Sequence, residues 1–195
     1  KYKNRDEGDW MSDRSIFSWL HFSDLHWGTT EVTNRWNNVE KRLLEDIGSL
    51  KEKYDLTFDV IFFTGDLVNR GKEFSDTTQT KGSGTLNDWL SDLKKGLAQD
   101  GITPVFLAVP GNHDLLRPRK EDPWYDSYQV VRDKWDTDEN TQNNLWEKKT
   151  TTGTWKLFQS VFKNYTDWWK DASRSFSRPS GIKDGLLPGD FAYTI

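Results

Sequence analysis

Three short runs of bulky apolar residues constrain this fold most, because each stops abruptly at a cluster of polar, chemistry-capable side chains. Residues 16–23 alternate large apolar with smaller or polar groups and end in Asp24-Leu25-His26-Trp27-Gly28, the pattern of a strand breaking into a loop. Phe58 to Thr64 is a β-branched and aromatic run too short for a comfortable helix, stopped by Gly65-Asp66, and reads as a buried strand. Pro104 to Val109 runs likewise into Pro110-Gly111-Asn112-His113-Asp114. Between the first two runs, Trp36, Val39, Leu43, Ile47, Leu50 and Tyr54 recur every three or four residues, which predicts an amphipathic helix over Thr33 to Tyr54. Between the second and third, a polar, glycine-bearing loop over 70–84 precedes Thr85-Leu86-Asn87-Asp88, a capping-box pattern that opens a helix through about Gln99. This alternation implies an α/β fold with parallel strands and right-handed crossovers, whose ligands gather beyond the strands' carboxyl ends. All three polar clusters fall there.

The rest of the chain is less diagnostic. Residues 1–14 read as a polar lead-in, and 15–195 as one domain. Across 115–190 the sequence predicts a helical insertion or lid followed by loop. Trp155, Phe158, Phe162, Tyr165 and Trp169 keep helical spacing there, 132–153 is very polar, and 171–190 is rich in Ser, Arg, Gly and Pro. Phe191 to Ile195 begins another strand-like run, so the domain is expected to continue past it in a larger protein. With 11 Trp, 11 Phe and 6 Tyr the chain has the apolar bulk of a folded protein despite being 30% charged. It has no membrane-length apolar stretch, and a formal charge of -4 gives no general attraction to nucleic acid.

The absence of cysteine removes disulfides and thiolate metal sites, so a metal here takes carboxylate, amide and imidazole ligands. It also suits a reducing, cytoplasmic setting. Asp24 and His26 are two apart, so in extended backbone both point to one side. A carboxylate at Asp66, behind a buried strand, is costly unless a cation balances it. Asn112 and His113 offer a neutral oxygen and an imidazole side by side, able to divide into a ligand and a proton donor. Singly, each cluster is an ordinary turn or cap; their joint placement makes the case.

Ser23-Asp24-Leu25-His26, Thr64-Gly65-Asp66-Leu67 and Pro110-Gly111-Asn112-His113-Asp114 together resemble the D-x-H, G-D and G-N-H-D/E signature of the calcineurin-like metallophosphoesterase superfamily. The resemblance covers about residues 16–114. It implies a metallophosphoesterase-like β-sheet sandwich flanked by helices, with the insertion after the third strand. It also implies two divalent metal ions, with Asp24 and His26 on the first, Asp66 bridging both and Asn112 on the second. His113 would protonate the leaving oxygen while metal-activated water attacks in line. The oxygen and nitrogen ligands accept Mn2+, Fe or Zn, with Mn2+ the expected occupant.

Two departures qualify the resemblance. Residues 65–71, Gly-Asp-Leu-Val-Asn-Arg-Gly, look like the G-D-x-V-D-R-G stretch of the serine/threonine phosphatase branch, in which the later Asp orients the catalytic His and Arg contacts phosphate. Here Asn69 replaces that Asp, which favours phosphodiesters over phosphoproteins and weakens a substrate role for Arg70. The superfamily also uses a later His and a G-H-x-H pair, whereas this chain has only His21, His26 and His113; His21 reads as a packed or backbone-bonded strand residue. The expected function is therefore a phosphodiesterase acting on a small molecule or nucleic acid, with a nuclease or a catalytically inactive recognition module as rivals. Arg117, Arg119 and Lys120 would steer phosphate if they were not simply a solvated loop. Trp27 walls the site or packs beneath it.

Overall fold

The computed structural model describes residues 17–28, 30–74, 84–146, 153–171, 176 and 178–194. Strand β1 (Trp19–Phe22), helix α1 (Thr30–Tyr54), strand β2 (Val60–Thr64), helix α2 (Leu86–Gln99) and strand β3 (Val105–Val109) follow one another as the periodicities require. The three strands form one parallel sheet in the order β1-β2-β3, each crossover being a helix. In register, Phe22, Phe63 and Ala108 share one face with Leu20, Ile61 and Phe106, and these residues join the core beneath α1 and α2. The opposite face carries the buried Val60 and Leu107 beside Trp19, 57% exposed, and the half-exposed Phe62, Val105 and Val109, so this face is covered in part. No helix among the described residues is long and apolar enough to cross a membrane.

Helix α2 is capped as its sequence predicts. Asp88 N–H donates to the Thr85 hydroxyl at 3.2 Å, and Thr85 N–H donates to the Asp88 carboxylate at 2.8 Å, so two otherwise orphaned donors are satisfied. Its buried stripe Leu86, Trp89, Leu90, Leu93 and Leu97 faces the sheet. Helix α1 departs from expectation: Ile47 is buried and Trp36, Leu43 and Leu44 pack against the core, but Val39, Leu50 and Tyr54 are exposed. A 25-residue helix is about 37 Å long, whereas the strands beneath it span roughly 13–17 Å, so its last turns overhang. Gly96 lets α1 and α2 meet closely; a Cβ there would lie 2.4 Å from Leu44 Cδ1.

After β3 come α3 (Tyr125–Lys134), α4 (Glu139–Trp146), α5 (Gly153–Val161) and α6 (Lys163–Lys170). The aromatic positions from Trp155 to Trp169 are helical as their spacing predicts, divided between α5 and α6 at Phe162. The Val161 carbonyl there leaves the helical ladder and accepts the N–H of Leu116 at 2.7 Å. Helix α6 belongs to the core: Tyr165, Trp168 and Trp169 are buried against Phe74 and Phe106. The Tyr165 hydroxyl donates at 2.7 Å to Ala108 O on β3, an edge strand of the sheet. In the stretch expected to be loop lies a short strand, β4 (Lys183–Asp184), which pairs antiparallel with β5 (Phe191–Ala192) at the start of the run expected to be strand-like.

Candidate metal centre

The loops leaving β1, β2 and β3 are interlocked by main-chain hydrogen bonds. His26 N–H donates to Asp66 O at 2.8 Å, Trp27 N–H to Leu67 O at 2.9 Å and Asn69 N–H to Trp27 O at 2.7 Å, so the first two loops continue their strands' pairing beyond the sheet. Trp36 of α1 donates its indole N–H to Leu25 O at 2.7 Å, holding the residue between Asp24 and His26. Trp27 itself is buried and rests on Trp89, ring centroids 6.0 Å apart; it packs under the loop.

Asp114 joins the second loop to the third. Fully buried, its carboxylate accepts from Gly111 N–H at 2.8 Å, Val68 N–H at 2.9 Å and Leu67 N–H at 3.2 Å. Burial pushes its pKa up to about 6, with the nearby Asp66 adding to the rise and the three N–H bonds opposing it. The motif placed Asp114 beside the ligands without giving it a task, and its burial was not legible in a polar turn sequence. Replacing it with asparagine keeps the shape but turns one acceptor into a donor, so at least one backbone N–H then faces an N–H. Asp114→Asn is expected to cost about 1–3 kcal/mol and to lower Tm by roughly 3–10 °C. Thermal unfolding checks this, and an unmoved midpoint would contradict the staple.

The candidate ligands converge on this frame. His26 Nε2 lies 3.7 Å from Asp24 Oδ1 and 4.0 Å from Asp66 Oδ2. Ligand atoms of His26, Asp66 and His113 all lie within 4.8 Å of one another, and the two imidazoles meet edge-on with centroids 4.6 Å apart. Asn112 is exposed in the same loop, next to His113. Asp24 and His26 do not come together through extended backbone as expected: strand β1 ends at Phe22, and both adopt positive φ, 57° and 49°. Asp66 does so too, at 53°. Left-handed backbone costs a non-glycine residue roughly 1–2 kcal/mol, and of the four non-glycine residues that adopt it among the described residues, three are converging candidate ligands and the fourth is Asp55.

His113 is held from three sides. Its N–H donates to Asp66 Oδ1 at 2.8 Å, its carbonyl accepts from Gly71 N–H at 3.0 Å, and its Nδ1 lies 3.1 Å from Asn69 O. A carbonyl only accepts, so Nδ1 carries the proton and Nε2 is the free nitrogen. Residue 69 thus orients the imidazole through its main chain rather than through the side chain considered above. His21 is neither packed nor backbone-bonded: it is exposed, with Nε2 2.5 Å from the Thr64 hydroxyl. Arg70, Arg117 and Arg119 line a cavity of about 530 Å³ together with Asn69, His113, Leu115 and Leu116.

A divalent cation fits these residues by their chemistry. Two imidazoles and two carboxylates crowd together in strained backbone, and one carboxylate oxygen of Asp66 is already committed to His113 N–H. Glycine is required at 111, where a Cβ would sit 2.3 Å from Asp66 Oδ1 and 2.6 Å from Asp66 N. Gly111→Ala is therefore expected to displace Asp66, and a misplacement near 1 Å costs roughly a hundredfold in turnover. Steady-state kinetics beside a thermal melt separate this from unfolding; unchanged kcat would show that Asp66 tolerates the shift.

Compared with known proteins, residues 17–190 match the family model described as calcineurin-like phosphoesterase. A search of curated proteins found no match.

Proposed function

The chain belongs to the calcineurin-like phosphoesterase family, and we propose that it is a metal-dependent phosphodiesterase working at the junction of its β1, β2 and β3 loops. The observation that carries this reading is the approach of His26, Asp66 and His113 ligand atoms within 4.8 Å, with Asp24 3.7 Å from His26. Asp24 and His26 would hold one cation, Asn112 a second, and Asp66 would contribute to both. Bound there, divalent cations supply Lewis-acid polarisation of the phosphoryl group and lower the pKa of water. Mn2+ suits the oxygen and nitrogen donors, as Fe and Zn also do.

The protein's own groups do the rest. Asp66 is pinned through Oδ1 to His113 N–H, leaving Oδ2 toward His26. Nδ1–H of His113 is spent on Asn69 O, which leaves Nε2 toward the leaving oxygen, and it is the imidazolium form, protonated at both nitrogens, that gives up the Nε2 proton as general acid. Arg70, on the cavity wall beside His113, binds a non-bridging phosphate oxygen. A diester rather than a phosphoprotein is favoured because Asn69 stands where the serine/threonine phosphatase pattern has Asp.

The test is hydrolysis of bis(p-nitrophenyl) phosphate by the full-length protein, first stripped with chelator and then given Mn2+. Turnover that vanishes and returns supports the proposal. Protein inert under every divalent metal would leave a binding module instead.

A further inference from the structure

The cavity beside His113 has an unusual wall for a chain of net charge -4. Among the described residues, each charged side chain lining it is a guanidinium, Arg70, Arg117 or Arg119, and the remaining titratable group is His113 itself. At about 530 Å³ the cavity is far larger than one phosphate needs and falls in the range of sites that hold whole small ligands. The loop bearing the two later arginines is held rather than trailing. Leu116 N–H is bonded to Val161 O at 2.7 Å, Arg119 N–H to the Asp122 carboxylate at 2.6 Å and Asp122 N–H to Arg119 O at 2.9 Å. Pro118 between the arginines removes a further backbone freedom. Among the described residues neither the Arg117 nor the Arg119 guanidinium is in an ion pair.

We infer that Arg117 and Arg119 form a second anion subsite, selecting phosphodiesters that carry another phosphate beside the scissile one. This rests on the hydrolase reading for its role but not for its detection. Two guanidinium forks carried on one held loop match the oxygens of a phosphate through paired, charge-assisted hydrogen bonds. A diester placed with its leaving oxygen at His113 Nε2 extends its next phosphate along the same wall. Such a substrate is a terminally phosphorylated dinucleotide or a nucleic-acid strand; the shared chemistry is successive phosphates on one backbone.

The experiment measures equilibrium binding of thymidine dinucleotides with a non-hydrolysable methylenephosphonate linkage, bearing no terminal phosphate, a 5′-phosphate or a 3′-phosphate. The full-length protein is expected to bind one phosphorylated form about tenfold tighter or more, the effect of a charged hydrogen-bonded contact. In Arg117→Gln/Arg119→Gln the preference should fall to within about twofold, and the salt dependence of log K should flatten by roughly one unit. A control that removes two cations from α1, Arg35→Gln/Lys41→Gln, keeps the preference if the effect is local. A longer oligothymidylate binding tighter than the phosphorylated dinucleotide assigns the subsite to a strand, and equal binding assigns it to a small ligand. Equal affinity for all three dinucleotides, or a preference that survives the double variant, overturns the subsite. Hydrolysis of bis(p-nitrophenyl) phosphate, run in parallel, reads the hydrolase proposal separately, so inert protein that still discriminates refutes the chemistry and supports the subsite.

Discussion

Replacing His113 with alanine is expected to lower kcat roughly 10²–10⁴-fold, the usual contribution of a positioned general acid, while the bound metal stays. The geometry separates the two effects. Main-chain N–H and carbonyl groups of residue 113 hold Asp66 and Gly71, and alanine keeps both. Only the imidazole is lost, with its Nδ1–H bond to Asn69 O. Metal analysis by mass spectrometry beside steady-state kinetics checks the outcome. Because His113 also sits within 4.8 Å of the His26 and Asp66 ligand atoms, loss of metal along with turnover would reassign it from acid to ligand.

Asp66→Ala should do what His113→Ala does not: remove metal and turnover together. The Asp66 side chain is 15% exposed and lies between His113 N–H and His26 Nε2, so its two oxygens join the second loop to the first and third. Losing several kcal/mol of transition-state charge stabilisation corresponds to a rate loss of about 10³-fold or more. Asp66→Asn is the sharper companion, since it tolerates the φ of 53° and keeps an oxygen for His113 N–H, yet carries no charge. It should retain the fold and lose most of the metal affinity. An Asp66→Ala protein with wild-type turnover would place the chemistry elsewhere.

Much of this was legible in the sequence, for physical reasons visible at particular residues. Strand lengths, the Thr85–Asp88 capping box and the buried stripe of α2 are local patterns, and local patterns survive into the fold. The convergence of Asp24, His26, Asp66 and His113 followed from topology, because consecutive parallel strands bring their carboxyl ends to one edge. What stayed hidden depends on non-local partners. The left-handed backbone at Asp24, His26 and Asp66 goes with bonds between loops, and Asp and His at strand ends were the available signal. Asp114 read as one more turn residue, since nothing local says that Leu67, Val68 and Gly111 aim their N–H groups at it. The break at Phe162 comes with a bond to Leu116, far away in sequence, and the exposure of Leu50 and Tyr54 reflects how little sheet lies under the last turns of a long helix. Arg117 and Arg119 read as a solvated run because the cavity they line forms only when the loop after β3 is tied to α5.

Anomalous X-ray diffraction from crystals of the protein soaked in Mn2+ asks whether the three strand-end loops hold a catalytic metal. An anomalous peak is expected within coordination distance of His26 and Asp66, present in His113→Ala and absent in Asp66→Ala. No peak there at saturating Mn2+, or a peak unaffected by Asp66→Ala, would contradict a metal held by these loops.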